Sequence, residues 1–294
     1  MTFAGRRKLL NFTRYLVLFL VSIIMIYPLL WMVSRIFQAS NAEVFTNTGL
    51  LPTATFEQGM SNLRYGWFTR VSSVPNLFVS FLNTLRFLIP RVVGQVVSSV
   101  LTAYAITRFN FKGKKVVFTL VIATLLMPDI VLRIPLFNIF TGGNPFGINL
   151  LGTFLPLYIE NWFATGSFFV FMLIQFMRTI PKELDEAAKI DGCNSFQTLT
   201  LILLPVMKPA IITVGLLTFM WGMNDFLGPL IYIRDSSMWV LQQALRQASE
   251  VGEAAIIWSE IFASSVIALI PAVTIFFAMQ RYFIDGIAST GSKE

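Results

Sequence analysis

Tyr15–Ser34 reads YLVLFLVSIIMIYPLLWMVS, a run of 20 residues without a charge. At 1.5 Å of rise per residue, a helix of that length covers about 30 Å, the thickness of a bilayer's hydrocarbon core. The run is longer than the apolar region of a cleavable signal peptide. Although Ser40-Asn41-Ala42 imitates a cleavage site, a retained membrane anchor is expected. The rest of the chain agrees: 55% of its 294 residues are hydrophobic and 13% charged, whereas a soluble protein carries about a quarter charged residues. The expected fold class is an all-α integral membrane protein.

Working outward from this run, five further stretches are long and apolar enough to cross: Leu77 to Thr107, Val116 to Phe137, Leu151 to Met177, Pro209 to Pro229 and Ile257 to Gln280. Six spans put both termini on one side. The segments 1–14, 108–115, 178–208 and 281–294 then hold fourteen of the 22 basic residues. Arg35, Arg64, Arg70, Arg133, Arg234 and Arg246 fall on the opposite side, and Arg86 and Arg91 within the second stretch. Because basic residues concentrate in cytoplasmic loops, both termini are expected in the cytoplasm. The net charge of +7 is thereby assigned to topology, not to nucleic acid.

Composition removes several chemistries. With no histidine, the chain has no Ser-His-Asp triad, no HExxH zinc site and no imidazole proton shuttle. Cys193 is the single cysteine, so neither an internal disulfide nor a thiolate metal cluster can form.

Charges within the spans are candidates for function. Arg91 and Arg86 lie far enough from Arg108 to snorkel outward, and Glu160 also falls near the outer edge. Asp129 and Arg133 share a helical face at i,i+4, where both mutual neutralisation and a gate at the outer mouth stand open. Pro128, Pro135, Pro156, Pro229 and Pro271 lie in or beside spans, and broken helices line many transport pathways.

The segment between the fourth and fifth spans, RTIPKELDEAAKIDGCNSFQTLTLILLPVMKPA over 178–210, is too patterned for a linker. Pro181 fits a first helical turn, and Leu184, Ala187, Ala188 and Asp191 fall on one face. Gly192 suits the left-handed conformation that stops a helix. Gln197 stands three residues after Asn194, the spacing of a capping box for a second helix that runs to Pro205 and Pro209. Two readings remain open: an element that docks on a partner, and an amphipathic helix resting on the membrane surface.

Glu186-Ala187-Ala188, then Gly192, nine intervening residues, and Ile202, Leu204 and Pro205 match the EAA motif of ABC importer permeases. The sequence most resembles the carbohydrate branch, specifically the maltose-type second permease subunit. Ala103-Tyr104-Ala105 through Arg108-Phe109 with Phe111-Lys112-Gly113, Pro181-Lys182-Glu183-Leu184, Ile190-Asp191-Gly192, and Gln280-Arg281-Tyr282-Phe283 with Gly286 extend the likeness over Leu77 to Gly286. It departs at 221–226, where Met223 stands in the place the branch usually gives to a tryptophan before the asparagine.

The resemblance implies a type I ABC importer transmembrane domain over 77–283, with a cytoplasmic coupling loop at 178–208. Before it comes a segment, 1–76, holding the first span and first outer loop, and after it a tail at 284–294. It implies a multi-pass protein of the bacterial inner membrane, a second homologous permease, two ATP-binding cassette subunits and an extracytoplasmic solute-binding protein. Glu186, Ala187, Ala188, Gly192, Ile202, Leu204 and Pro205 would couple to the ATPase, with Ile202 and Pro205 fixing the second arm. ATP and magnesium would be bound by the partner, since the chain has no GxxxxGK[ST] phosphate loop and Gly113-Lys114 follows no strand. Catalysis, a cofactor and a metal are not expected in this chain.

A self-sufficient secondary transporter or channel would use buried midplane charges or internal repeats, and neither is evident. A membrane enzyme holding magnesium on Glu183, Asp185, Glu186 and Asp191 would find Lys182 and Lys189 intruding. For a sugar substrate, Trp162, Trp221, Asn224 and Asp225 offer aromatic faces and polar groups, and the long outer segment Asp225 to Ile256 is expected to face the binding protein.

Overall fold

The computed structural model describes residues 3–68, 76–143, 145, 147–250 and 257–291. Arg70, Glu253, Lys293 and the end of the long outer segment, 251–256, lie outside them. Among the described residues every regular element is helical, and the one β feature is an isolated antiparallel bridge between Thr141 and Asn149.

The 20-residue anchor belongs to a longer helix, α1 (Phe3–Ile36), continuous through Pro28. After it come α2 (Asn41–Thr46), α3 (Phe56–Phe68) and the 32-residue α4 (Leu77–Arg108). Next are α5 (Lys114–Leu125), α6 (Asp129–Phe140), α7 (Ser167–Thr179), α8 (Glu183–Ile190), α9 (Ser195–Gln197), α10 (Leu204–Val206) and α11 (Lys208–Met223). The chain ends with α12 (Leu227–Tyr232), α13 (Leu241–Glu250) and α14 (Trp258–Gly291).

Three of the expected spans are single apolar helices: 10–36, 77–108 and 258–281. The other three are bent. The third breaks into α5 and α6 at 108°, where Pro128 lacks an N–H and turns its own backbone to an extended conformation before α6. At 12 residues, α5 reaches about 18 Å, short of a crossing. In the fourth, only α7 is α-helical; Leu155–Leu157 and Ile159–Phe163 are 3-10 turns, and Ala164 is left-handed at φ 57°. The fifth ends at Met223, and α11 turns by 78° from the arm before it.

Contacts group the chain into two compact units, 1–78 with 244–269, and 79–243 with 270–294. In the first, α1 exposes apolar side chains from Leu10 to Val33, and none of its most hydrophobic stretch is buried. Such a surface belongs against lipid, not water. Where α1 ends, Arg35 is fully buried. Its guanidinium donates to the carbonyls of Val44, Asn47 and Gly49 and stacks 4.9 Å from the Trp31 ring. Asn62 of α3 donates to the Ile36 carbonyl at 2.7 Å, so the segment that follows α1 is folded around its end. Gly66 meets α14 so closely that a Cβ there would lie 2.3 Å from the Glu260 carbonyl.

The second unit has its core where α4, α7 and α11 meet. Ala103, Leu173, Leu203, Met207 and Val214 are completely buried there. Helices in lipid gain little from excluding water, so this close packing is what holds them together. The stretch of 3-10 turns before α7 lies against a polar face of α4. Asn161 donates to Gln95 at 2.8 Å and accepts, through its carbonyl, from Ser98 at 2.6 Å. Irregular backbone at membrane depth is tolerated where protein covers it in this way.

Candidate functional site

Between α7 and α11 the chain makes a corner, built from local signals. Gly192 follows α8 at φ 82°, and its N–H bonds to the Lys189 carbonyl at 3.1 Å while that of Cys193 bonds to Ala188 at 2.9 Å. This is the Schellman closure, which uses the helix's last free carbonyls. Asn194 then caps α9: its side chain accepts from the Gln197 N–H and Gln197 accepts from the Asn194 N–H, both at 2.9 Å. The capping box and the glycine stop expected from the sequence are both present.

After α9 the arm continues as a π-helical turn, Thr198–Leu203, and α10. The sequence reading gave Ile202 and Pro205 the task of fixing this arm. In the structure Leu199, Leu203 and Met207 are buried in the core of the second unit, Ile202 and Leu204 are half-buried, with Leu204 packed against that core, and Pro205 is exposed. Leu199, Leu203 and Met207 stand at i, i+4 and i+8, on one face of the arm.

The face expected from Leu184, Ala187, Ala188 and Asp191 is buried only at Ala188, which is 1% exposed. Glu186 and Ala187 point outward, as do Glu183 and Lys189. Sequence reasoning missed the apolar pair flanking the corner: Ile190 is 87% exposed and Phe196 69%. Two large apolar side chains beside a glycine stop, where water-facing turns usually carry polar groups, were the available signal.

The four proposed substrate residues do not form one polar cluster. Trp162 lies against Gly94 of α4, where a Cβ would fall 2.4 Å from its indole nitrogen. Trp221 packs on Phe168 and Phe169, with ring centroids 5.7 and 5.1 Å away. Asn224 donates back to the Met220 carbonyl at 2.8 Å. Asp225 is ion-paired with Arg91 at 2.8 Å and caps Gly228 at 3.0 Å. Arg91 is therefore held inside the protein instead of snorkelling free, and Arg86 donates to Asn83 at 2.9 Å. Arg133 pairs with Asp129 at 3.0 Å, as mutual neutralisation requires, and also stands 4.0 Å from Asp225.

The family model described as "Binding-protein-dependent transport system inner membrane component" matches residues 94–289, which include the whole corner. The chain belongs to this family. It is thus an inner-membrane permease component of a binding-protein-dependent transport system. Among relatives of this permease, the probable ABC transporter permease protein YurM of Bacillus subtilis (strain 168) is 30% identical, over 94% of this chain and 86% of that protein. The sn-glycerol-3-phosphate transport system permease protein UgpE of Rhizobium meliloti (strain 1021) is 28% identical over 97% of this chain and 98% of its own. A solved bacterial ABC transporter involved in the import of the acidic polysaccharide alginate shares the permease's fold. Its TM-score is 0.78 at 20% identity, covering 96% of this chain and 99% of that one. The all-helical type I importer fold expected from the EAA pattern is therefore present.

Proposed function

We propose that this permease forms half of a translocation pathway for a sugar or oligosaccharide, crossing the inner membrane six times with both termini in the cytoplasm. The second half is a homologous permease. Two ATP-binding cassette subunits supply energy, and an extracytoplasmic solute-binding protein delivers the substrate. The relatives named for sn-glycerol-3-phosphate and alginate transport support a hydroxyl-rich substrate.

One observation carries the reading: a closed, capped corner presents Glu186, Ala187, Ile190 and Phe196 on an arm whose other side is buried in the core. Ala187 allows close approach, Ile190 and Phe196 supply apolar anchors for a groove, and Glu186 with Glu183 and Lys189 supplies a charged rim. A helix resting on lipid would not need the arm's rigid attachment. The broken third, fourth and fifth spans are counted as crossings, each made by a bent helix pair or by a helix with its flanking turns.

The experiment is uptake by the purified complex in proteoliposomes, with a panel of oligosaccharides and polyol phosphates. Transport should require ATP and the binding protein, and this chain reconstituted alone should carry nothing. ATP-independent uptake by the lone chain would overturn the proposal.

A further inference from the structure

The end of α4 carries a sequence pattern, Ala103-Tyr104-Ala105 through Arg108-Phe109, that the coupling corner as described above does not use. In the fold these residues meet the corner. The Arg108 Nε lies 3.0 Å from the Asp185 carboxylate, with the two side chains only 7% and 14% exposed. An Arg108 Nη donates to the Ile180 carbonyl at 3.0 Å, at the junction of α7 and the corner. One turn earlier on α4, the Tyr104 hydroxyl donates to the Ser195 carbonyl at 2.9 Å, in the first turn of α9. A single helix end thus grips the corner on both sides of Gly192, once on α8 and once on α9. Between the grips lies a small cleft of about 180 Å³ lined by Tyr104, Arg108, Asp185, Glu186 and Ser195.

We infer that Arg108 and Tyr104 are positioning residues that tie the coupling corner to α4, so that movement of the corner is delivered to α4 as well as along the chain into α7 and α11. The inference rests on the coupling reading of the corner. The second arm is already packed into the core through Leu199 and Leu203, whereas α8, buried only at Ala188, would swing about Gly192 without a further hold. A shielded ion pair, the hydrogen bond to Ile180 and the Tyr104 hydrogen bond one turn away remove that freedom, because the planar guanidinium faces Asp185 and Ile180 at once. Asp185, immediately before Glu186, is the one acid of the corner's first turn that faces inward; Glu183 and Glu186 remain free for a partner.

The test uses the complete complex in nanodiscs and measures ATP hydrolysis with and without loaded binding protein, for Arg108→Gln, Asp185→Asn and the double variant. Each single substitution should lower the ratio of stimulated to basal hydrolysis by about tenfold. The double should be no worse than the worse single, since both remove one contact. Tyr104→Phe, which deletes one oxygen, should lower the ratio in the same direction and covers the case in which the charge variants fail to assemble. An unchanged ratio in the assembled variants overturns the inference, as does a double variant whose loss is the product of the two singles. Gly192→Val in the same assay separates the layers. If it uncouples while the Arg108, Asp185 and Tyr104 variants do not, the tie is wrong and the coupling reading stands. If none of them has an effect, both fall.

Discussion

Arg91 in α4 and Asp225, just beyond the end of α11, are held 2.8 Å apart across 134 residues of sequence. The pair joins two helices of the second unit. Arg133, 4.0 Å from Asp225 and itself paired with Asp129, brings in α6. The side chains of Arg91 and Asp225 are 18% and 11% exposed, so the charges are mostly withdrawn from solvent and depend on each other. The Asp225 oxygens are thus already committed to Arg91 and to the Gly228 N–H.

Asp225→Asn should therefore destabilise the complex without changing its choice of substrate. Leaving Arg91 without its counter-charge costs about 2–3 kcal/mol, below the roughly 3–5 of a fully buried pair because both groups keep some exposure. The thermal midpoint of the purified complex should fall while the KM for transport is unchanged. An unchanged midpoint with a raised KM would return Asp225 to the substrate site.

What could be read from the sequence was what is written locally. The charge-free run at 15–34, the glycine stop at Gly192 and the Asn194–Gln197 capping box each depend on residues within one or two turns, and each is present. The Arg91–Asp225 pair has no local signature, because each residue alone reads as an isolated charge in or beside a span. Proline shows the same boundary. Pro28, Pro90 and Pro271 lie inside continuous helices, whereas Pro128 marks a 108° bend. The missing N–H is common to all four and does not by itself break a helix: Pro28 lies in an exposed stretch of α1 that stays continuous, whereas the chain turns at Pro128, whose own backbone is extended. Ile202 and Pro205 came to the second arm from a family motif, which does not say which side of the arm is buried; Leu199, Leu203 and Met207, four residues apart, are that side.

Arg35→Lys should loosen the first outer segment. The guanidinium reaches several backbone carbonyls at once as a planar fork, and a lysine ammonium cannot reproduce that geometry. Lost hydrogen bonds from a buried cation are worth about 1.5–3 kcal/mol each, so hydrogen exchange over 43–51 should accelerate at least tenfold. Unaltered protection there would show that the carbonyls find other donors.

The proposed topology is tested by a reporter fused after Glu294, which should be active only when placed in the cytoplasm. The expectation comes from the basic residues, since moving fourteen of them to the outer face would oppose the usual charge bias at every loop. Activity confined to the outside would reverse the orientation, though not the helical fold.

The corner gives the sharpest separation between folding and transport. Gly192 sits at φ 82° with open space around its missing Cβ, so a valine there meets no clash and is opposed only by the backbone conformation. That strain is of order 1–3 kcal/mol, enough to swing α9 away from α8 but too little to disturb the membrane helices. Gly192→Val should insert normally and lose transport. Glu186→Lys acts on the surface instead, placing a repulsive charge on a rim complementary to a carboxylate. Ile190→Asp puts a charge on a side chain that is 87% exposed in this chain alone. It should therefore cost nothing in folding, yet weaken co-purification of the ATPase by an order of magnitude or more, as loss of an apolar anchor does. The measurements are membrane insertion, ATPase recovery and uptake on the same preparations. If all three variants insert, retain the ATPase and transport at the unmodified rate, the corner is a surface helix and not a coupling element.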